Sequence, residues 1–256
     1  LNYINQKIKM REILALIFLS LSCNFTFAQV NPNKCMTTHI VNEELKNNSE
    51  YELMRNNLIN YHQANKVSNH KNQPTITIPV VVHVIHRTQD AIGANTNISN
   101  AQIEDQLRIL NEDFSKTNPE FPNPPRNTFI SDAGNPGIEF CLATIDPNGN
   151  LTTGITRTAT TKTGWDYNTE SNDMKQATTG GINNWDPLRY LNIWVCNILS
   201  SGSGGQILGY AYLPGLQASN SQSWKDGLVV DYQYFGTTGS VSSSSDGRTT
   251  THEIGH

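Results

Sequence analysis

Apolar and polar residues change rhythm several times along this chain. Between Thr75 and His86 the residues TITIPVVVHVIH are β-branched or apolar in both alternating sets. That pattern predicts a strand buried on both faces. Over residues 100–114 the rhythm becomes helical, with Ile103, Leu107, Leu110 and Phe114 spaced by three and four. Ser99 or Asn100 is positioned to cap that helix, and Pro119, Pro122, Pro124 and Pro125 end the region. Further strands are predicted over 138–143, closed by the turn Asp146-Pro147-Asn148-Gly149, over 190–198, over 208–213 and over 227–232. A short extended stretch at 154–157 lies among them. A Ser/Gly loop at 200–205 and Pro214-Gly215 separate the later strands. A flexible loop at 237–247 then leads to a last helix over 248–256. Strands interleaved with helices in this order predict an α/β fold, a mixed sheet with helices packed on it.

The N-terminal part follows other rules. Residues 29–73 are rich in Asn, Lys, Glu and His. A helix is expected over 43–62, with Leu45, Leu53, Leu58 and Tyr61 as its apolar positions, followed by a polar linker at 67–73. Ahead of this, Met10-Arg11-Glu12 precedes a nearly continuous apolar run from Ile13 to Leu21, and Thr26-Phe27-Ala28 supplies the small residues that a signal peptidase reads. The run is too short for an ordinary membrane span. A secretory signal over 1–28, cleaved after Ala28, is therefore expected; a lipidated start at Cys23 is disfavoured because Ser20 stands where a leucine is wanted. The expected organisation is a signal region (1–28), a pro-segment (29–73) and one domain (74–256), with a secreted, extracellular product and no membrane span.

Composition adds little beyond exclusions. A chain of 256 residues accommodates one large domain or two small ones. No basic run or stripe points to nucleic acid. Removing Lys7, Lys9, Arg11 and Glu12 with the signal takes the formal charge from the -4 of the whole chain to -6. Three cysteines then remain, Cys35, Cys141 and Cys196, an odd number for an exported protein.

The chemistry concentrates at His252-Glu253-Ile254-Gly255-His256. On a helix, residues four apart share a face, so His252 and His256 can hold one zinc ion while Glu253, off that face, reaches a water activated by the metal. Zinc lowers the pKa of such a water to about 7, and the Glu253 carboxylate is suited to take its proton and pass it to a leaving amine.

The surrounding residues extend the pattern. Gly247-Arg248-Thr249-Thr250-Thr251 before the motif, Asp226-Gly227-Leu228-Val229-Val230, Leu208-Gly209-Tyr210-Ala211-Tyr212-Leu213-Pro214, Leu191-Asn192-Ile193-Trp194-Val195, Gly154-Ile155-Thr156-Arg157 and Ile78-Pro79-Val80-Val81-Val82-His83-Val84-Ile85 resemble, in order, the catalytic domain of pappalysin-type (ulilysin-like) metzincin zinc metallopeptidases. The resemblance covers roughly residues 75–256. It implies a metzincin-like N-terminal catalytic subdomain whose five-stranded mixed sheet has one antiparallel edge strand, at 208–213. It implies hydrolysis of internal bonds of protein or peptide substrates by a zinc-activated water, with His252 and His256 on the metal and Glu253 as base and acid. Structural calcium is implied as a further cofactor, without a visible ligand set. Metzincins continue past this motif through G-x-x-H to a methionine turn. The sequence stops at His256, so the third ligand is missing from it, and the fragment alone is expected to be inactive.

Other residues carry competing readings. Cys35, in Lys34-Cys35-Met36-Thr37-Thr38, is a candidate latency ligand for the zinc, as in related proenzymes, against a disulfide or an idle thiol. Cys141 and Cys196 read as small buried residues of strands; the family's sheet places one strand between theirs, so no pairing is expected. His83 and His86, three apart on a strand, point to opposite faces and read as structural. His39, His62 and His70 read as solvated, and the four tryptophans as packing. The edge strand at 208–213 is expected to pair with extended substrate. The alternatives are a zincin with a glutamate as third ligand, or a catalytically inactive truncated remnant or peptide-binding module.

Overall fold

The computed structural model describes residues 34–65, 74–121, 130, 133–200, 205–213 and 222–256. The signal expected over 1–28, the linker at 67–73, His70, Pro122, Pro124, Pro125 and Pro214-Gly215 lie outside the described residues.

The described residues form eight strands, β1 (Ile76–Arg87), β2 (Ile138–Leu142), β3 (Ile155–Thr160), β4 (Trp165–Asp166), β5 (Leu191–Cys196), β6 (Ile198–Leu199), β7 (Gly209–Tyr212) and β8 (Gly227–Asp231), with helices before, among and after them. The main sheet runs β2-β1-β5-β8-β7, with β3 also on β1. All of its pairings are parallel except β7 with β8, so the antiparallel edge strand is present. The sheet is five strands wide but holds six. β1 is twelve residues long, and two short strands share one of its edges end to end, β2 on residues 76–80 and β3 on 82–87. The stretch at 154–157 is thus the start of a full strand.

The strands are apolar on both faces because both are covered. Val80, Val82, Val84, Ile193, Val195, Leu228 and Val230 pack on one side against Ile103, Leu107 and Leu110 of a long helix. Ile85, Trp194, Cys196, Val229, Tyr210 and Tyr212 face the other side, against Trp165, Tyr167, Met174 and two residues of the N-terminal segment, Ile40 and Tyr51. Each such side chain removed from water contributes about 1.5–3 kcal/mol.

The N-terminal segment forms two helices rather than the single one expected over 43–62: α1 (Thr37–Asn47) and α2 (Ser49–Ala64). Asn48 breaks them with φ -133° and ψ 94°, and its side chain accepts from the Tyr51 N–H at 3.1 Å, capping α2. Of the expected apolar positions, Leu53, Leu58 and Tyr61 are exposed. Ile40 and Tyr51 make the buried contacts instead.

The long helix is α3 (Asn100–Ser115), capped by Ser99, whose hydroxyl accepts from the Gln102 N–H at 3.1 Å. A short α4 (Tyr167–Glu170) follows β4, and α5 (Thr249–Ile254) ends the described chain. Beneath the edge strand lies Lys175, fully buried, its ammonium donating to the Lys225 carbonyl and lying 4.3 Å from the Tyr212 ring centroid and 4.9 Å from that of Trp194. Burial lowers its pKa to about 7.

Candidate metal centre

His252 and Glu253 sit on a helix of only six residues, too short to be placed by its own stability; His256 lies two residues past its end at Ile254, so the helix expected over 248–256 is shorter at both ends. Its position is set by α3. Gln106, completely buried, donates to the Gly247 carbonyl at 2.8 Å and accepts from the Gly236 N–H at 2.7 Å. Gln102 donates to the carbonyls of Tyr232 and Phe235 and accepts from the Ser240 N–H. Asp105 accepts from the N–H and hydroxyl of Thr237. Two turns beyond, Asp113 receives Arg248 at 3.3 Å and Thr251 at 2.9 Å, holding the first turn of α5. The stretch at 237–247, expected as a flexible loop, is therefore tied along one face of α3. Gly247 needs its left-handed φ of 72°, and a Cβ there would collide with Ile109.

This frame sets α5 against the edge strand. His252 and His256 bring their Nε2 atoms within 3.2 Å of each other. Cys35 arrives from the N-terminal segment, with Sγ 3.2 Å from His256 Nε2. The three donor atoms all lie within 4.8 Å of one another, the one group of three or more His, Cys, Asp or Glu side chains so gathered among the described residues. A thiol and two imidazoles aimed at one point match the sulfur and nitrogen donors that zinc prefers. Glu253 turns the other way and is buried. Its Oε2 accepts from the Thr37 hydroxyl at 2.7 Å and lies 3.4 Å from Cys35 Sγ. Burial raises its pKa; the Thr37 and Cys35 donors and the two histidines oppose that. The Cys35 thiol is also raised, chiefly by burial.

The N-terminal segment reaches this point by adding to the sheet. Lys34 accepts from the Leu208 N–H at 2.8 Å, Met36 donates to the Gly209 carbonyl at 3.3 Å, and Cys35 bridges Gly209 in parallel sense. Gly209 is a close approach: a Cβ there would lie 3.1 Å from Thr249 Cγ2 and 3.2 Å from Glu253 Cγ.

The other residues singled out by sequence lie elsewhere. His83 is buried in the sheet between the Thr156 hydroxyl (2.8 Å) and Asn192 Oδ1 (3.0 Å), and burial lowers its pKa to about 4. His86 contacts the Arg87 carbonyl. Cys196 is buried as expected, but Cys141 is exposed, because β2 is an edge strand and residue 141 points outward. Neither is in a disulfide, and β1 separates their strands. His39 and His62 are exposed, His39 touching the Tyr167 hydroxyl at 3.1 Å. Trp165 and Trp194 are core residues; Trp185 and Trp224 are half-buried. Sequence reasoning passed over Thr37, Gln102, Gln106 and Asp113. Polar residues on the inner face of an amphipathic helix were the available signal for the last three; nothing local marks Thr37.

No family model matches the chain. Among curated proteins it is 26% identical over 181 residues to an extracellular metalloprotease of Arthroderma gypseum, covering 71% of this chain and 46% of that one. An extracellular metalloprotease of Uncinocarpus reesii is 26% identical over 184 residues, 71% of this chain and 52% of the relative. The chain thus spans about half the length of the curated relatives it matches. Among solved structures, a promirolysin mutant of Tannerella forsythia is 38% identical with a TM-score of 0.69, over 87% of this chain and 67% of that one. Mature mirolysin of the same organism, in complex with a cleaved peptide, is 44% identical with a TM-score of 0.62, over 72% of this chain and 63% of its own. No helix among the described residues is long and apolar enough to cross a membrane. At 38% identity over 87% of this chain and 67% of the promirolysin chain, with a TM-score of 0.69, the chain belongs to the pappalysin-type metzincin metalloproteases, alongside mirolysin.

Proposed function

We propose that this chain carries the pro-segment (29–73) and catalytic domain (74–256) of a secreted zinc-dependent endopeptidase, held latent in the arrangement described. The observation that carries the reading is the meeting of Cys35, His252 and His256 at one point, with Glu253 buried beside it at the edge of the sheet.

His252, His256 and, in the latent form, Cys35 are the residues that would hold zinc. When bound, zinc supplies Lewis acidity that makes water nucleophilic near neutral pH and polarises a carbonyl. Glu253 Oε2 takes the proton from the attacking water and returns it to the nitrogen of the leaving amine. Its burial favours the protonated form, which suits the second step. The edge of β7 offers backbone groups to an extended chain, which favours cleavage within peptides. The N-terminal segment lies along that edge, so it must leave before substrate enters. The promirolysin likeness reaches 87% of the chain and the mature mirolysin likeness 72%, consistent with a pro-segment preceding the catalytic domain. The relatives named extracellular support export, through the signal at 1–28. Structural calcium rests on the resemblance alone.

The test uses the full-length gene product after removal of the pro-segment, on a peptide labelled at both ends. Cleavage at internal bonds, lost on chelation, restored by zinc and abolished in Glu253→Ala with the metal still bound, is the expected result. Undiminished turnover in Glu253→Ala would overturn the assignment.

A further inference from the structure

The thiol is not the whole of the contact between the N-terminal segment and the site. Thr37, two residues on, is buried. Its hydroxyl donates to Glu253 Oε2 at 2.7 Å and accepts from the Ala211 N–H of β7 at 2.8 Å. One hydroxyl has a proton and two lone pairs, so both contacts are satisfied together. They engage the carboxylate that would move protons and an edge-strand N–H of β7. By comparison the Cys35 Sγ to Glu253 distance, 3.4 Å, is a weak contact.

The position of this hydroxyl does not depend on the thiol. Thr37 is the first residue of α1, and α1 is anchored independently. Ile40 packs in the core with Tyr210 and Tyr212, and Glu44 pairs with Lys225 at 2.6 Å in a largely buried contact. We propose that Thr37 is a second latch, separate from the cysteine, which keeps Glu253 and the β7 edge engaged after Cys35 has let go of the metal. The idea rests on the latent-peptidase reading above and adds to it a two-step release: thiol first, then α1 with its threonine.

Hydrogen exchange at the Ala211 amide of the full-length zymogen reads the second latch directly, without turnover. Thr37→Val removes the hydroxyl at nearly constant shape; Thr37→Ser keeps it; Cys35→Ala removes only the thiol. Ala211 should exchange about ten- to a hundredfold faster in Thr37→Val, from loss of its partner. Cys35→Ala and Thr37→Ser should stay near wild type. The double variant should shed its pro-segment faster than either single one. Should Thr37→Val fail to fold, Thr37→Ala serves the same comparison. Unchanged exchange in the variant lacking the hydroxyl, or equal acceleration in Cys35→Ala, would overturn the second latch. The outcomes separate: a processed wild type that cleaves no peptide refutes the peptidase, while Ala211 exchange still decides on Thr37.

Discussion

Gln106→Leu tests whether α3 places the metal helix. The substitution keeps the bulk but removes the partners of two buried backbone groups, the Gly236 N–H and the Gly247 carbonyl. A buried polar group left unpaired costs about 1–3 kcal/mol. Two of them cost about 2–6 kcal/mol, offset in part because leucine is itself easier to bury, so about 3 kcal/mol is expected. For a domain of this size each kcal/mol moves Tm by about 2–4 °C, giving a fall of about 6–12 °C by circular dichroism. Glu104→Gln, on the exposed face of the same helix, should stay within about 0.5 kcal/mol of wild type. Because α5 begins two residues after Gly247, zinc affinity should also drop, measured at a temperature where the variant is folded. A Tm within about 2 °C of wild type would refute the energetic argument. A lowered Tm with unchanged zinc affinity would refute the coupling of α3 to the metal helix.

Three further predictions follow from particular contacts. His83 is held neutral by burial, its pKa depressed from the ordinary histidine range to about 4. It therefore contributes stability that is present above about pH 6.5 and lost as pH falls toward 4, about 3 kcal/mol in all; urea melts of His83→Gln should show a shallower acid limb over that window. Lys175, depressed by burial to about 7, favours the neutral amine in the fold, so its contribution grows as pH rises from about 7 toward the ordinary lysine value near 10.4; Lys175→Met should flatten that rise, and a steeper one would contradict it. Gly209→Ala places a methyl against Thr249 and Glu253, costing about 1–3 kcal/mol of overpacking; kcat should fall more than Tm suggests, whereas a fully active variant would show that the edge strand yields freely.

Much of the site could be read from the chain because its signals are local. The four-residue spacing of His252 and His256, with Glu253 between them, fixes a shared face and a separate reach on any helix. The run at 75–86 predicted a strand buried on both faces because apolar, β-branched residues fill both of its alternating sets, and the one polar side chain buried in it, His83, is satisfied by Thr156 and Asn192. The antiparallel edge was implied by resemblance at 208–213 and is present as β7. Where local signals competed, the reading slipped: apolar periodicity suggested one helix over 43–62, but Asn48 caps a second helix and sends Tyr51 inward.

The sequence by itself determined the chemistry on offer: which residues can bind a soft metal, which can carry a proton, and which stretches must be strands. Only the tertiary structure decided where those groups meet. Cys35 lies 221 positions from His256 in sequence, yet their donor atoms are 3.2 Å apart. Thr37 reaches Glu253 and Ala211, and Gln106 holds Gly247, across separations of more than a hundred residues. No periodicity encodes such contacts. They arise because buried polar groups must find partners and, with the strands and α3 already in place, the remaining donors and acceptors can be satisfied only across the fold.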